Sequence, residues 1–336
     1  MGVSESGLSL VADAGGTNTR VALASGAAVL AGSIRRYRNA GYSCLEAVLR
    51  RYLADMGGVA LNAACVAVAG PVRNTSAWLT NLDWEIDEGG LASAVGARVV
   101  KVINDLQAQG HALGHIADHD ISPVVRTSRP PKNNNPMRLV VGAGTGFNAA
   151  LVCETGAGRI VTASECGHMC LPVHDAAGWK LSRWLSRGGG FPALEDAVSG
   201  RGLEAIYRFL GESGPAGRPC SVAEIVAAAV DGTDRQAADA AALFVRLLGS
   251  ACGDLSLVHL PFGGIYLSGG VARAVSPLLQ RPGFAEAFRN KGRFSHFMEN
   301  FSVSVIEDDY AALTGCAAYL AGLPEDISAP ECQPAH

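Results

Sequence analysis

Two glycine-rich hairpins of matching design constrain the fold of this chain more than any other feature of its sequence. The first is LVADAGGTNTRVAL at 10–23, and the second is LVVGAGTGFNAALV at 139–152. In both, an apolar run that predicts a strand ends at glycines, and a second β-rich run follows. Two such strand–turn–strand units, far apart in the sequence, predict two lobes that face one ligand.

The first hairpin has the composition of a phosphate-binding turn. Gly15 and Gly16 carry no Cβ, so backbone N–H groups can close around an anion, and the Thr17 hydroxyl would add a hydrogen bond. Asp13 ends the strand where a Mg²⁺ ion held by phosphate oxygens and waters needs a carboxylate. For this hairpin alone, an ordinary tight turn is an equally good interpretation.

The second hairpin favours a nucleotide. Gly142, Gly144, Thr145 and Gly146 have nearly the same frame relative to their strands as the residues of the first turn, but without a carboxylate. One turn would therefore handle metal and phosphate, and the other phosphate alone. A dinucleotide fingerprint is excluded because Phe147 replaces its third glycine and a strand follows. The Walker loop and the protein-kinase motifs are also missing.

Composition is typical of a cytoplasmic, two-domain enzyme. The 336 residues exceed one typical core, and 49% hydrophobic with 17% charged residues allows a sizeable core to be buried. A net charge of −4 without a basic run argues against nucleic acid as a partner. Nine scattered cysteines are typical of reduced thiols. Without a signal-peptide pattern or a long apolar run, we expect neither secretion nor a membrane span.

Asp105 is the main candidate for catalysis. It follows the apolar strand predicted at 98–103 and opens a helical stretch, and ligands bind at the carboxyl ends of strands in α/β sheets. Asn104 and Asp105 are also both favoured helix N-cap residues. From position alone, a catalytic residue and a cap are equally supported.

Beyond the hairpins, further segments carry a family resemblance. D-x-G-G-T-N-x-R with a later G-A-G-T-G is similar to the sugar-kinase, hsp70 and actin superfamily, and within it to the bacterial ATP-dependent glucokinases. The resemblance extends over nearly the whole chain, and the order of its segments makes it specific. The further matching segments are VAVAGPVRNTSAWLTNLDW, KVINDLQA, SECGH, LEDAVSGRGLEAIYR, IYLSGGVA and KGRFSHFMENFSVSVIEDDYAALTGCAAYL.

The resemblance implies an α/β, two-domain ribonuclease H-like fold, the actin/hsp70/sugar kinase fold, with the active site in the interdomain cleft. It implies a small α/β domain from residues 1–117 plus 309–336 and a large α/β domain from residues 118–308. The last helix would pack on the N-terminal domain, and the domains would close over the sugar to exclude water. A homodimer is also implied.

The resemblance further implies transfer of the γ-phosphoryl group of Mg·ATP to the 6-hydroxyl of glucose, with Asp105 as general base. The implied substrate-binding residues are Asn81, Asn104, Asp105, Glu165, His168 and Glu195. The implied ATP-binding residues are Asp13, Gly15, Gly16, Thr17, Asn18, Gly144, Thr145, Gly269 and Gly270, with Asp13 holding Mg²⁺ through water. Without the resemblance, Glu195 is better interpreted as part of a solvated helix face, Glu165 and His168 as a polar turn, and Gly269-Gly270 as a plain βα turn.

A rival interpretation of SECGH and its surroundings is a zinc site. Cys166, His168, Cys170 and His174 are all potential zinc ligands. Their spacing is poor for a closed site, which usually draws on two short-spaced pairs from separate segments. The related ROK sugar kinases bind zinc with a C-x-C-G-x-x-G-C run, and that run is absent here.

The chain departs from the family pattern at Cys166, where glycine is common, at Asn148, where a small residue is common, and at Asp196, where a basic or aromatic residue is expected. These departures leave open a kinase for another hexose or amino sugar, such as mannose, glucosamine or N-acetylglucosamine. A sugar-sensing regulator is a remote alternative, because only about nine residues precede the first strand and a helix-turn-helix needs several dozen. An hsp70-like ATPase would have no use for SECGH.

Overall fold

A computed structural model describes residues 7–79, 82–129, 137–211 and 220–324 of the chain. Within these ranges strands and helices alternate over much of the length, as expected for an α/β protein. The strands are β1 (Leu8–Ala14), β2 (Asn18–Ser25), β3 (Ala28–Val29), β4 (Arg35–Arg38), β5 (Ala63–Val68), β6 (Val72–Arg73), β7 (Ser76–Leu79), β8 (Trp84–Asp87), β9 (Val99–Asn104), β10 (Ile121–Val125), β11 (Arg138–Ala143), β12 (Phe147–Thr155), β13 (Gly158–Val161), β14 (Ile265–Ser268) and β15 (Val303–Ile306). The helices are α1 (Leu45–Asp55), α2 (Glu88–Val95), α3 (Asp105–Ala112), α4 (Ala176–Leu185), α5 (Gly200–Gly211), α6 (Val222–Asp231), α7 (Arg235–His259), α8 (Gly270–Leu279), α9 (Phe284–Arg289) and α10 (Ala311–Ala321).

Spatial contacts divide the chain into two compact units. Unit 1 holds the described residues of Met1–Ala117, Ala157–Arg159 and Tyr310–His336. Unit 2 holds those of Asp118–Gly156 and Ile160–Asp309. The assignment of two domains to 1–117 plus 309–336 and to 118–308 stays a prediction.

Unit 1 is built on a sheet of strand order β3-β2-β1-β5-β9, with β4 also paired to β2. β1 and β2 form the predicted antiparallel hairpin, whereas β1, β5 and β9 run parallel. Helices α1 and α2 cover one face of this sheet, and α3 and α10 cover the other. Because both faces are buried, the parallel strands consist of nearly continuous apolar runs.

The parallel register brings two carboxylates of unit 1 to one edge of the sheet. Ala14 pairs with Val68, and Val68 pairs with Asn104. Asp13 and Asp105, the neighbours of these residues in the chain, therefore lie at the carboxyl edge of β1 and β9. A separate three-stranded sheet, β6-β7-β8, also belongs to unit 1.

Helix α10 packs against α3 with its backbone in close contact at Gly315. A Cβ at this position would overlap the carbonyl oxygen of Ala108 in α3. Small side chains along α10, such as Ala312 and Cys316, let the helix approach the sheet. Thus α10, the last helix of the described residues, packs closely on α3, the helix that begins at Asp105. The expectation that the C-terminal helix packs on the N-terminal part of the chain is confirmed.

We predict that Gly315→Ala lowers the thermal stability of the protein. The added methyl group meets a backbone oxygen that cannot move aside, and overpacking of this kind costs about 3 kcal/mol. The melting temperature should fall by roughly 5 °C or more. Gly32→Ala is the matched control, because a Cβ there meets no atom within 4 Å. Equal melting temperatures for the two variants would contradict the packing described for α10.

Unit 2 contains a sheet of order β10-β15-β14-β11-β12-β13. β11 and β12 form the second predicted hairpin, and β11, β14 and β15 run parallel. Helices α5 to α9 pack into one large apolar cluster with this sheet. The long helix α7 is the one described helix that is long and apolar enough to cross a membrane, but 72% of its most apolar window is buried inside the protein.

Apolar periodicity predicts helices at about 43–56 and 89–95, strands at 64–69 and 98–103, and mainly helices from about 203 to 260. The structure confirms these elements as α1, α2, β5, β9 and the region from α5 to α7. Two strands with polar turns are predicted between Pro71 and Trp84, and β6 and β7 lie there, but the short strand β8, which begins at Trp84, was not predicted. The run PPKNNNP at 130–136 predicts a loop, and the Gly/Pro-containing stretch at 211–219 predicts a break between helices. The loop and most of the break lie outside the described residues.

Candidate active site

The turn of the first hairpin spans the residues between β1 and β2. Ala14 pairs with Thr19, and the N–H of Gly15 donates to the carbonyl oxygen of Asn18 at 3.1 Å. Thr17 is exposed, while Gly16 and Asn18 are half-buried. The predicted ATP-binding residues of unit 1 therefore form one continuous turn that ends next to Asp13.

Asn39, which the sequence did not indicate as a functional residue, holds this turn in place through hydrogen bonds. Its side chain is buried, accepts a hydrogen bond from the Thr19 hydroxyl at 2.8 Å and donates to the carbonyl oxygen of Gly15 at 2.7 Å. Its own N–H donates to the carbonyl oxygen of Thr17 at 3.0 Å. Because the contacts come from a position twenty residues further along the chain, no local motif indicates them.

Asp13 is paired across the hairpin. The Arg20 guanidinium donates to its carboxylate at 3.0 Å, and both side chains are largely buried. Arg20 also lies 6.0 Å from the ring centroid of Tyr310, close to a cation–π geometry. This ion pair orients the carboxylate at the edge of the sheet beside the glycine turn.

Asn104, rather than Asp105, is the N-cap of α3. The Asn104 side-chain oxygen accepts from the N–H groups of Leu106 and Gln107, and the Gln107 side chain accepts in return from the Asn104 N–H, which completes a capping box. The Asn104 amide nitrogen donates to the carbonyl oxygen of Gly70 at 3.0 Å. The sequence left open whether Asp105 is a helix cap or a catalytic residue. Because Asn104 caps the helix, Asp105 is not needed for that role.

Asp105 has an unusual protonation behaviour. Its side chain is half-buried, and one carboxyl oxygen accepts from the N–H of Leu106 at 2.8 Å. Burial, and to a smaller extent the nearby negative charge of Asp13, raises the pKa of Asp105 to about 7. A carboxyl with a pKa near neutrality can both take up and release a proton at physiological pH, which suits a general base.

The raised pKa predicts a pH-dependent gain in stability for Asp105→Asn. An unfolded aspartate has a pKa of about 4, so the folded protein binds the additional proton between about pH 4 and about pH 7. The contribution of Asp105 to stability is therefore fully present below pH 4 and is lost as the pH rises through 7. Thermal unfolding should show Asp105→Asn at its greatest advantage over the parent above pH 7, with the advantage shrinking towards pH 4.

The exposed Asp118 provides the matched control, since Asp118→Asn removes a surface carboxylate. A stability advantage of Asp105→Asn that does not change with pH would contradict the raised pKa.

The second hairpin has a turn one residue shorter than the first. Ala143 pairs with Phe147, so three residues separate the strands, whereas four separate Ala14 and Thr19. The N–H of Gly144 donates to the carbonyl oxygen of Gly146 at 3.0 Å. Thr145 is exposed, and a Cβ on Gly144 would meet no atom within 4 Å. The turn therefore presents an open backbone surface, as a phosphate cradle requires.

Glu195 packs against the turn of the second hairpin. A Cβ on Gly146 would lie 2.9 Å from its carboxylate, and one on Gly167 would overlap the carbonyl oxygen of Phe147. The Glu195 side chain is only 19% exposed and lies 3.6 Å from the guanidinium of Arg201. The interpretation of Glu195 as part of a solvated helix face is therefore wrong. No local motif indicates this burial, because the contacts come from a distant hairpin.

Glu165 precedes a single 3-10 turn at Cys166–His168, and His168 is the last residue of that turn. Both side chains are exposed, while Cys166 between them is buried. The Asn148 side chain of β12 donates to the Glu165 carboxylate at 3.3 Å. Glu165 thus lies close to the start of β12, the return strand of the second hairpin, and Glu195 lies at its turn.

Gly269 lies between the end of β14 and the start of α8. Its φ of +103° favours glycine, and a Cβ there would lie 2.5 Å from the carbonyl oxygen of Ala143. Close packing against the second hairpin thus explains this glycine. Gly270 faces open space. The assignment of both glycines to the adenosine end of an ATP site stays a prediction.

The predicted site residues form two groups. One group in unit 1 surrounds the first turn and Asp105, and the other in unit 2 surrounds the second turn. Asn81 lies outside the described residues. Over the described ranges, no set of three or more His, Cys, Asp and Glu side chains is arranged to hold a metal ion. The zinc interpretation gains no support, and Asp13 could hold Mg²⁺ only together with phosphate oxygens and waters, as Mg²⁺ commonly is held.

Comparison with known sequences gives a consistent result. A family model described as Glucokinase matches residues 10–323. A glucokinase of Caulobacter vibrioides is 34% identical over 322 residues, which cover 94% of this chain and 95% of that relative. The similarity therefore extends over both units.

Solved structures agree in fold. A glucokinase from an Antarctic psychrotroph has a TM-score of 0.79 and 29% identity, with 93% of this chain and 98% of that one covered. A ROK family glucokinase from Streptomyces griseus, in complex with glucose and AMPPNP, has a TM-score of 0.64 and 20% identity, with 94% and 99% covered. The predicted α/β fold of the actin-like sugar kinases is confirmed.

Proposed function

This chain belongs to the glucokinase family, and from that premise we propose that it transfers the γ-phosphoryl group of ATP to the 6-hydroxyl of glucose. The products are glucose 6-phosphate and ADP. In this reaction the sugar oxygen forms a bond to the γ-phosphorus, the bond from that phosphorus to ADP breaks, and the hydroxyl proton leaves. A sugar kinase must therefore provide a proton acceptor, partners for the sugar hydroxyls and a cradle for phosphates.

The observation that carries this proposal is the protonation behaviour of Asp105. A base for an alcohol needs a carboxylate that is ionised near neutral pH and basic enough to accept a proton as the O–P bond forms. Burial and the charge of Asp13 give Asp105 a pKa of about 7, and capping by Asn104 fixes the backbone that carries it. We assign Asp105 the role of general base.

Sugar recognition falls to polar side chains, because hydroxyls that lose water on binding need new partners. We assign this role to Asn104, Glu165, His168 and Glu195, and on the resemblance also to Asn81. Glu165 and Glu195 are each fixed by contacts with the second hairpin, which supports the assignment. His168 is exposed and accessible to a ligand.

Phosphate binding falls to the two glycine turns. We assign Gly15, Gly16, Thr17 and Asn18 to one part of ATP, Gly144 and Thr145 to another, and Gly269 and Gly270 to the adenosine. The S. griseus neighbour was solved with AMPPNP, which supports ATP as the donor. Asp13 would hold Mg²⁺ through water, and the ion when bound would neutralise charge on the phosphates.

The preferred sugar, cellular location and assembly belong to the same proposal. Glucose is the first choice for the sugar. The matching family model is described as Glucokinase, and the S. griseus glucokinase was solved in complex with glucose. The alternative is another hexose or amino sugar, because the departures at Asn148, Cys166 and Asp196 leave the preferred sugar open, and a non-enzymatic sugar sensor is a remote alternative. We further propose a cytoplasmic homodimer that works in glycolysis.

Glucose-dependent ADP formation tests the function. We expect the protein to release ADP from Mg·ATP when glucose is present and to release very little when glucose is absent. Mannose, glucosamine and N-acetylglucosamine, assayed in parallel, identify the sugar. A rate of ADP release that none of the four sugars changes would contradict the assignment as a sugar kinase.

Asp105→Ala tests the base. We expect kcat to fall by about 10²–10⁴, the usual contribution of general base catalysis, with ATP affinity nearly unchanged. For the parent enzyme, kcat/KM should fall by about tenfold per pH unit below about pH 7, because protonated Asp105 cannot accept the sugar proton. Unchanged turnover in Asp105→Ala would remove this residue from the mechanism.

A further inference from the structure

Asn148, the second residue of β12, connects that strand to the segment that carries Glu165. Its side-chain oxygen accepts from the hydroxyl of Ser164 at 2.8 Å and from the N–H of Cys166 at 3.1 Å. Its amide nitrogen donates to the carbonyl oxygen of Ser164 and to the carboxylate of Glu165 at 3.3 Å. A single carboxamide therefore contacts three consecutive residues.

The chemistry of these partners fixes the orientation of the Asn148 carboxamide. A backbone N–H can only donate, so the atom facing Cys166 must be the oxygen. A carbonyl oxygen can only accept, so the atom facing Ser164 O must be the nitrogen. One N–H of Asn148 is thereby directed at Glu165. This orientation of Asn148 does not depend on the rotamer of the exposed Glu165 side chain.

Two departures from the family pattern meet in this network. The thiol of Cys166 lies 3.5 Å from the side-chain oxygen of Asn148, and burial raises the pKa of that thiol, so it stays protonated. Where both positions hold glycine or another small residue, neither this contact nor the hydrogen bond to Glu165 can form. The thiol thus contacts the carboxamide of Asn148, and the carboxamide in turn donates to Glu165.

We propose that Asn148 is a positioning residue that orients the carboxylate of Glu165 for hexose binding and so sets the affinity of the enzyme for its sugar. The inference rests on the proposed function, in which Glu165 contacts the hexose. An exposed glutamate samples several rotamers, and ordering it on binding costs free energy. A donor that restricts Glu165 beforehand reduces this cost, so the benefit falls on sugar binding and leaves phosphoryl transfer almost unaffected.

Asn148→Ala is the first test. We expect the KM for the sugar to rise by about tenfold, the effect of losing one hydrogen bond to a charged group. We expect kcat and the KM for ATP to stay within roughly threefold of the parent, since uniform binding is lost and no interaction specific to the transition state is lost. Asn300→Ala is the matched control, because Asn300 makes a local hydrogen bond to Phe297 within the same unit.

Asn148→Asp separates the link to Glu165 from the support of the backbone. Aspartate keeps an oxygen for the Cys166 N–H and the Ser164 hydroxyl but has no N–H to donate and places a negative charge beside Glu165. We expect its sugar KM to rise at least as much as that of Asn148→Ala. A sugar KM equal to that of the parent would overturn the proposal.

A double-mutant cycle with Glu165→Gln is the decisive comparison. If Asn148 acts through the Glu165 carboxylate, Asn148→Ala should change the sugar KM much less in the Glu165→Gln background than in the parent. Fold-changes that multiply in the double variant would show independent actions and overturn the inference.

The parent enzyme, assayed first for glucose-dependent ADP release, tests the proposed function separately. Sugar binding is also followed by tryptophan fluorescence without ATP. If the parent enzyme binds sugar but releases no ADP in response to glucose, the kinase function is contradicted. If Asn148→Ala binds sugar with the affinity of the parent, only the role of Asn148 is contradicted.

Discussion

The capping of α3 by Asn104 is the interaction on which the proposed chemistry depends. By satisfying the first N–H groups of the helix, Asn104 leaves the Asp105 carboxylate at the edge of the sheet, where it accepts a local hydrogen bond from the N–H of Leu106. The parallel pairing of β1, β5 and β9 then puts the charge of Asp13 nearby. Burial and this like charge together keep a proton on Asp105 up to about neutral pH. Had Asp105 itself been the cap, the hydrogen bonds of the helix end would have lowered its pKa and weakened it as a base.

Three asparagines hold the functional segments in place. Asn39 fastens the first glycine turn, Asn104 caps α3, and Asn148 ties β12 to the segment of Glu165. A carboxamide suits this work because it donates and accepts at once and carries no charge that would disturb neighbouring carboxylates. Each of these side chains uses its donor and its acceptor on different backbone or side-chain groups, so each fixes a loop that carries no regular hydrogen-bond ladder of its own.

Local sequence patterns predicted the scaffold well and the contacts across it poorly. The two hairpins, α1, α2 and β9 follow from apolar periodicity, glycine turns and cap residues, all of which act over a few positions. The choice between Asn104 and Asp105 as cap did not follow, because both side chains suit that position and only tertiary contacts with Gly70 decide.

Contacts between distant segments could not be predicted, because local sequence patterns extend over only a few positions. The buried side of Glu195, the hold of Asn39 on the first turn and the link from Asn148 to Glu165 all join residues at least sixteen positions apart. A resemblance to a family names residues by motif, and it named Glu165 and Glu195. It does not name side chains that are particular to this chain, and Asn148 stood out only as a departure.

A crystal structure of the protein with glucose and a non-hydrolysable ATP analogue tests the central claim about Asp105 most directly. The account predicts that the 6-hydroxyl oxygen of glucose lies about 2.6–3.2 Å from a carboxylate oxygen of Asp105, within reach of proton transfer. A bound glucose whose 6-hydroxyl contacts a different group, with Asp105 out of reach, would contradict it.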